Sequence, residues 1–233
     1  MKKGDRVLKT EDFYDPDQPL VEIPLDVLKT PQENAAALYK QYRKAKTAEQ
    51  HLNVLIAENE KQLDYLNSVL DEIARAETER DLGEIRQELR ETGFLRQEKS
   101  KKKQRTVPSA PLRFVSDTGY EILVGRSNMQ NDTLTHRTAR RTDLWLHVQM
   151  IHGSHVIIRC MDTEPDEQTI AQAASLAVYY SQGRDGGKTP VDVTQIRHVR
   201  KSPGGLPGMV LYTDYRTVIA EADEALMERL RQK

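Results

Sequence analysis

From Gln32 to Glu77 the chain runs without a single Pro or Gly. A segment of that length free of helix breakers predicts one continuous α-helix, on the order of 65 Å long at ~1.5 Å per residue. Leu38, Tyr42, Ala45, Leu52, Ile56, Leu63, Leu66, Leu70 and Ile73 fall on steps of three and four, a heptad seam broken at Glu49 and Asn59. The polar stretch AETERD predicts a turn, and Leu82, Ile85 and Leu89 form a second, shorter stripe in LGEIRQELRETGFL. Together they predict an antiparallel coiled-coil hairpin over residues 32–95, with Leu66 and Leu70 facing Leu82, Ile85 or Leu89. A seam of this kind is, on its own, a structural spacer.

Composition supports an exposed element of that sort. Charged residues make up 30% of the 233 and hydrophobic ones 37%, with a mean hydropathy of -0.70. That is too polar for one core of this length, so the apolar residues must concentrate in a compact second part. Before the helix, RVLKTEDF (6–13) and LVEIPL (20–25) flank the turn former YDPDQP and predict a β-hairpin. A hairpin alone has little to pack against, so residues 1–31 are expected to be the remnant of an upstream domain.

After the hairpin, residues 96–111 (RQEKSKKKQRTVPSAP) carry six Lys or Arg against one Glu and end in prolines, the composition of a basic linker. Residues 112–233 then predict strands at 112–116, 120–125, 143–149, 154–160, 190–199, 208–213 and 216–220. Helices are predicted near 128–139, at 166–182 and at 222–231. Thr163 and Asp166 form a capping-box pattern with Pro165 in the first turn. The order is strand-rich with one central helix, so the fold class is α+β.

Charge divides the chain. Residues 1–95 hold 14 Lys+Arg against 20 Asp+Glu, and residues 96–233 hold 21 against 16. A polyanionic partner is therefore expected to meet the second half. No run approaches the ~20 apolar residues of a membrane span, and the amino terminus lacks the apolar segment of a secretory signal. A single Cys excludes an internal disulfide framework and makes the reducing cytoplasm the expected compartment.

The functional surface is expected between Gly119 and Cys160, which hold the only Trp, the only Cys and four of the six His. His147, His152, His155 and Cys160 could be offered as zinc ligands, but strand alternation puts His155 and Cys160 on opposite faces. Ser154 lies in H-G-S-H rather than a hydrolase elbow, and Gly186-Gly187-Lys188-Thr189 is followed by Pro190 rather than a helix. No catalytic residue, metal, cofactor or small-molecule substrate is therefore expected. The basic clusters carry more. Arg137, Arg140 and Arg141 precede Asp143-Leu-Trp, and Arg197, His198, Arg200 and Lys201 precede SPGGLPG. Cations beside a Gly-rich loop suit phosphate oxygens, while Trp145, Tyr120 and Tyr212 could stack on bases, although Trp145 reads better as core.

The motifs VGRSNMQND (124–132), DLWLHVQ (143–149), GSHVII (153–158), PVDVTQIRHVRK (190–201) and PGMVLYT (207–213) stand in the order seen in the NFACT RNA-binding domain. Upstream, IPLD (23–26), PQENAAALYKQYRKAK (31–46), DYLNSVL (64–70) and EIRQELRETGFL (84–95) resemble the coiled-coil segment that precedes it. The chain thus resembles the NFACT family, that of RqcH, called fibronectin-binding protein A in bacteria, with NEMF as a eukaryotic relative. The resemblance implies a non-enzymatic role in ribosome-associated quality control. It implies partners in the large ribosomal subunit, through rRNA and a stalk base reached by the coiled coil, and in tRNA. It further implies support of carboxy-terminal alanine tailing by the full-length protein.

Because the family's amino-terminal tRNA-selecting regions are absent, this chain is expected to bind but not to tail; His152 also stands where many relatives have Pro. A surface adhesin and a metal-dependent hydrolase are the alternatives. Arg126, Arg137, Arg140, Arg141, Arg197, Arg200 and Lys201 are expected to contact RNA phosphates. Asn131, Asp132, Asp143, Trp145, His147, Gly153 and His155 carry the family motifs and are expected chiefly to shape the surface that presents those cations.

Overall fold

The computed structural model describes residues 1–96, 109–161 and 163–231. Most of the basic linker, including Lys101, Lys102 and Lys103, lies outside the described residues. The chain divides into two compact units, Met1–Gln62 and Leu63–Lys233.

In the first unit, β1 (Val7–Glu11) and β2 (Leu20–Pro24) pair as an antiparallel hairpin in register from Val7↔Pro24 to Glu11↔Leu20. The helix α1 (Pro31–Arg75) begins on a reciprocal cap: Glu33 Oε2 accepts the Thr30 N–H at 2.7 Å, and Thr30 Oγ1 accepts the Glu33 N–H at 3.3 Å. Pro31 fits the first helical turn, where its missing N–H costs nothing. Asn34 is buried and clamps the incoming loop, accepting the Asp26 N–H and donating to the Asp26 carbonyl. Leu52, Ile56 and the other seam residues of this unit are exposed.

In the second unit the last turns of α1 pack on α2 (Glu79–Glu91). Thr78 and Asp81 form a capping box that starts α2 immediately after the turn. The packed stripe is Tyr65, Val69 and Ile85, with Phe94 stacked on Tyr65 at 5.5 Å. Leu66 and Leu70 are not the facing pair, and Leu70 is 63% exposed. Once the heptad seam meets so short a partner, the residues that find apolar neighbours are those turned toward α2 and toward Leu206 and Met209.

The body is a six-stranded antiparallel sheet in the order β10 (Arg216–Ala220), β7 (Thr189–Gln195), β5 (Leu144–Val148), β6 (Val156–Ile158), β4 (Glu121–Val124), β3 (Leu112–Val115). Alternation sorts its two faces. Ile122, Val124, Leu146, Val148, Val156 and Ile158 turn to α4 (Glu167–Tyr179), whose Ala173, Ala174 and Ala177 allow close approach to the sheet. Leu123, Trp145 and Ile157 turn to the opposite face and pack with Leu134, Ile196 and Val199. The helix α5 (Glu224–Leu230) adds Met227 and Leu230 to the α4 side.

Three local features differ from expectation. The cap of α4 is Asp166 alone, accepting the Thr169 N–H at 2.7 Å, because Thr163 is engaged with the Tyr120 hydroxyl. The helix α3 (Asn128–Thr133) continues as one π-turn, Leu134–Thr138, closed by Ala139 N–H to the Leu134 carbonyl. The strand expected over 190–199 ends at Gln195, where the N–H groups of Ile196 and Arg197 turn to the carbonyls of Asp143 and Arg141. The chain then leaves the sheet as β8 (Val199–Lys201), which pairs with β9 (Val210–Tyr212) in a separate ribbon.

Candidate nucleic-acid interface

Asp143 organises the cationic surface. It is fully buried; one carboxylate oxygen accepts the Cys160 N–H at 2.9 Å and the other the Arg140 N–H at 2.8 Å. The Arg159 guanidinium lies 3.6 Å from the same carboxylate and donates to the Thr138 carbonyl. A buried carboxylate therefore holds the turn 139–142 against the end of β6, and that turn presents Arg140 and Arg141 to solvent. The Arg197 N–H donates to the Arg141 carbonyl at 3.2 Å, so two basic segments distant in sequence meet at one backbone bond.

The other expected residues are placed as follows. Arg137 and Arg200 are exposed, the first in the π-turn and the second on β8. Lys201 pairs with Asp132 at 2.9 Å. Arg197 Nε donates to His198 Nε2, and His198 in turn lies 3.2 Å from Asp214. Arg126 stands apart: its guanidinium meets Asp81 of α2 at 2.7 Å and its side chain is only 24% exposed. Burial alone would raise the Asp81 pKa, but hydrogen bonds from Thr78 and Arg126, and the Arg126 charge, hold it below the usual carboxylate range.

The motif residues beneath this surface are packed. Asn131 is buried, and its side-chain oxygen accepts the His155 N–H at 3.0 Å, just where Gly125 N–H meets the His155 carbonyl. A Cβ on Gly125 would lie 2.1 Å from that same oxygen, which only glycine permits. Gly153 is equally confined, since a Cβ there would lie 2.8 Å from both Ser181 and Val148.

Trp145 is fully buried, stacked against His147 at 5.6 Å and tilted on Tyr212 at 4.8 Å, and its indole N–H has no hydrogen-bond partner among the described residues. His155 meets Thr135 through Nδ1 at 2.7 Å, and His147 Nε2–H donates to the Gly153 carbonyl at 3.2 Å. Burial pushes the His147 pKa down to about 4 and that of His155 well below the ordinary imidazole value, so both are neutral near pH 7. Among the described residues no three His, Cys, Asp or Glu side chains converge as metal ligands would.

Next to these rings opens a cleft of about 360 Å³, to which Asp64, His152, Gln182 and Tyr212 also contribute. Its wall draws on positions from Asp64 to Tyr212, and no local pattern joins them. The other feature without a sequence signal is a pair of buried carboxylates, Glu72 and Glu88, between α1, α2 and the start of α3. Charged residues on an amphipathic helix read as solvent-facing, and only the packing reverses that.

Comparison with known proteins places this arrangement. Residues 1–107 match the NFACT N-terminal and middle domains, and residues 111–213 match the NFACT protein RNA binding domain. The Rqc2 homolog RqcH of Bacillus subtilis strain 168 is 40% identical over 234 residues, taking in 100% of this chain and 40% of the relative. The Rqc2 homolog RqcH of Streptococcus pneumoniae D39 is 37% identical over 221 residues, covering 95% of this chain and 39% of the relative. The chain thus spans about 40% of the length of the curated relatives it matches. Among solved structures, the C-terminal part of the fibronectin/fibrinogen-binding protein from Streptococcus suis superposes with a TM-score of 0.78 at 34% identity. That match covers 88% of this chain and 81% of the other. With both halves matched in sequence and the larger part matched in structure, the chain belongs to the NFACT family.

Proposed function

We propose that this chain is the RNA- and ribosome-binding portion of a cytoplasmic ribosome quality control factor and that it has no catalytic role. One observation carries the reading: the Arg197 to Arg141 backbone bond gathers Arg140, Arg141 and Arg197 on a turn fixed by buried Asp143. Cations held by a rigid backbone suit phosphate oxygens, which position a nucleic acid without reading its sequence. The match to an RNA-binding domain and the relatives named RqcH support the same reading. In it, residues 1–31 are a hairpin from a preceding domain, 32–95 a coiled-coil segment, 96–111 a basic linker and 112–233 the RNA-binding domain. Arg137, Arg140, Arg141, Arg197, Arg200 and Lys201 meet phosphates of rRNA or tRNA on the large subunit, with Lys201 exchanging Asp132 for RNA. Arg126 serves instead as the internal tie to Asp81. In this reading the coiled-coil segment reaches the stalk base, and alanine tailing is an activity that the full-length protein supports.

Co-sedimentation with purified large ribosomal subunits at low salt tests the reading. Pelleting that falls steeply with added salt is expected, and its absence at low salt would refute it. The name of the Streptococcus suis neighbour favours a second reading, fibronectin binding. Saturable capture on immobilised fibronectin, with no capture by ribosomal subunits, would favour that one.

A further inference from the structure

The cleft beside the cationic surface has the wrong chemistry for a phosphate and a suitable one for a nucleobase. At about 360 Å³ it falls toward the small end of ligand pockets, which run ~300–1,000 Å³. Among the described residues no Lys or Arg lines it, and Asp64, 3.3 Å from His152, would repel an anion. His147 and His155 contribute neutral imidazoles, Tyr212 a ring, and Gln182 an amide. The His147 and Tyr212 rings offer π-faces for stacking, and with the ring nitrogens and the Tyr212 hydroxyl engaged within the protein, the Gln182 amide is the group that can meet the edge of a planar heterocycle.

The rim shows the same preference. Met150 is 94% exposed, held there by a left-handed backbone with φ 60, a conformation unusual for a side chain other than Gly, Asn or Asp. An apolar, polarisable thioether presented to water at the mouth of a polar-edged cleft suits the face of a base.

Register then joins the cleft to the proposed phosphate contacts. Val210 and Tyr212 of β9 line the cleft, and across the ribbon Lys201 pairs with Val210 and Val199 with Tyr212. A phosphate on Lys201 would therefore lie one strand from the opening, ~5 Å across the ladder, whereas Arg200, paired with Leu211, faces the other side of the ribbon. We propose that this cleft receives one unpaired base of a bound RNA strand whose backbone passes Lys201, an assignment that rests on the RNA-binding reading above.

Trp145, the only Trp in the chain, borders the cleft and serves as its reporter. The experiment compares a single-stranded octaribonucleotide with an abasic ribose-phosphate chain of equal length, each titrated against the whole protein while Trp145 emission is followed. The octaribonucleotide should change the emission saturably, and the abasic chain should bind roughly tenfold more weakly and leave it unchanged. Free nucleosides, which lack the phosphates, should reach the same signal only at far higher concentration. Joint replacement Met150→Ala and His152→Ala, both at or near the surface, should cost about tenfold in octaribonucleotide affinity while keeping the salt slope and the circular dichroism spectrum.

Equal binding of the two polymers, nucleosides as potent as the strand, or a rim variant that binds like the parent would each overturn the assignment while leaving RNA binding in place. If neither polymer binds at low salt, the RNA-binding reading itself falls and takes the assignment with it.

Discussion

Tyr65 donates its phenolic O–H to Glu88 at 2.6 Å, a buried bond that ties the last turns of α1 to α2. The other Glu88 oxygen accepts the Met129 N–H at 3.1 Å, so one carboxylate joins both helices to the start of α3. Tyr65→Phe keeps the ring stacked on Phe94 and removes only the hydroxyl. It should lower stability by about 1–3 kcal/mol, read as a lower urea midpoint at unchanged slope. An unchanged midpoint would mean that the bond contributes nothing net.

Glu72 makes a pH-dependent contribution. It is 3% exposed, and burial first and the neighbouring Glu88 carboxylate second hold its pKa well above the usual carboxylate range. An acid whose folded pKa exceeds its unfolded value of about 4.5 stabilises fully below that value and loses the contribution as pH rises through the folded pKa. Glu72→Gln, which mimics the protonated form, should therefore melt higher than the parent at pH 7 to 8 and alike at pH 4. A parent that melts higher at neutral pH would show that the ionised carboxylate is the stabilising form.

His147 works in the opposite direction. Its folded pKa of about 4 lies below the ordinary 6.5, so its contribution is full above 6.5 and fades as pH falls through 4. That gap corresponds to roughly 3 kcal/mol. Urea unfolding followed from pH 7 to 4 should show the loss, and His147→Gln should flatten it. A parallel pH profile in the variant would place the titration elsewhere.

Trp145→Ala should cost roughly 3–5 kcal/mol, because the fully buried ring contacts His147, His155 and Tyr212. If melting is unaffected and only RNA binding is lost, the ring is a stacking platform and not core.

Neutralising Arg140 and Arg141, or Arg200 and Lys201, should leave melting unchanged and weaken RNA or subunit binding. The slope of log affinity against log salt should flatten by roughly one counterion per lost contact. An unaltered slope in both pairs would move the phosphate surface elsewhere, with Lys101, Lys102 and Lys103 the next residues to neutralise.

The strands of the body were legible because alternation and burial coincide there: Leu144, Leu146 and Val148 face α4 while Trp145 faces away. The hairpin at Val7–Pro24 was legible from its turn residues, and the extent of α1 from the missing breakers. Which α1 residues pack was not. A heptad seam presumes a partner of matching length, and α2 offers only thirteen residues, so Tyr65 and Val69 displace Leu66 and Leu70. The placement of Arg126 was hidden for a related reason: its partner Asp81 lies 45 positions away. The turn at Ile196 escaped as well, because its acceptors are backbone carbonyls that carry no residue identity.

Gly125 and Asn131 share one small volume, since the amide oxygen that accepts the His155 N–H occupies the space a Cβ at 125 would need. The two positions are therefore sterically coupled. A side chain at 125 can arise only after 131 has shortened, and a shortened 131 leaves the His155 N–H without its acceptor. Substitution at either site must pass through a less stable intermediate, which sets an epistatic barrier around this corner of the motif.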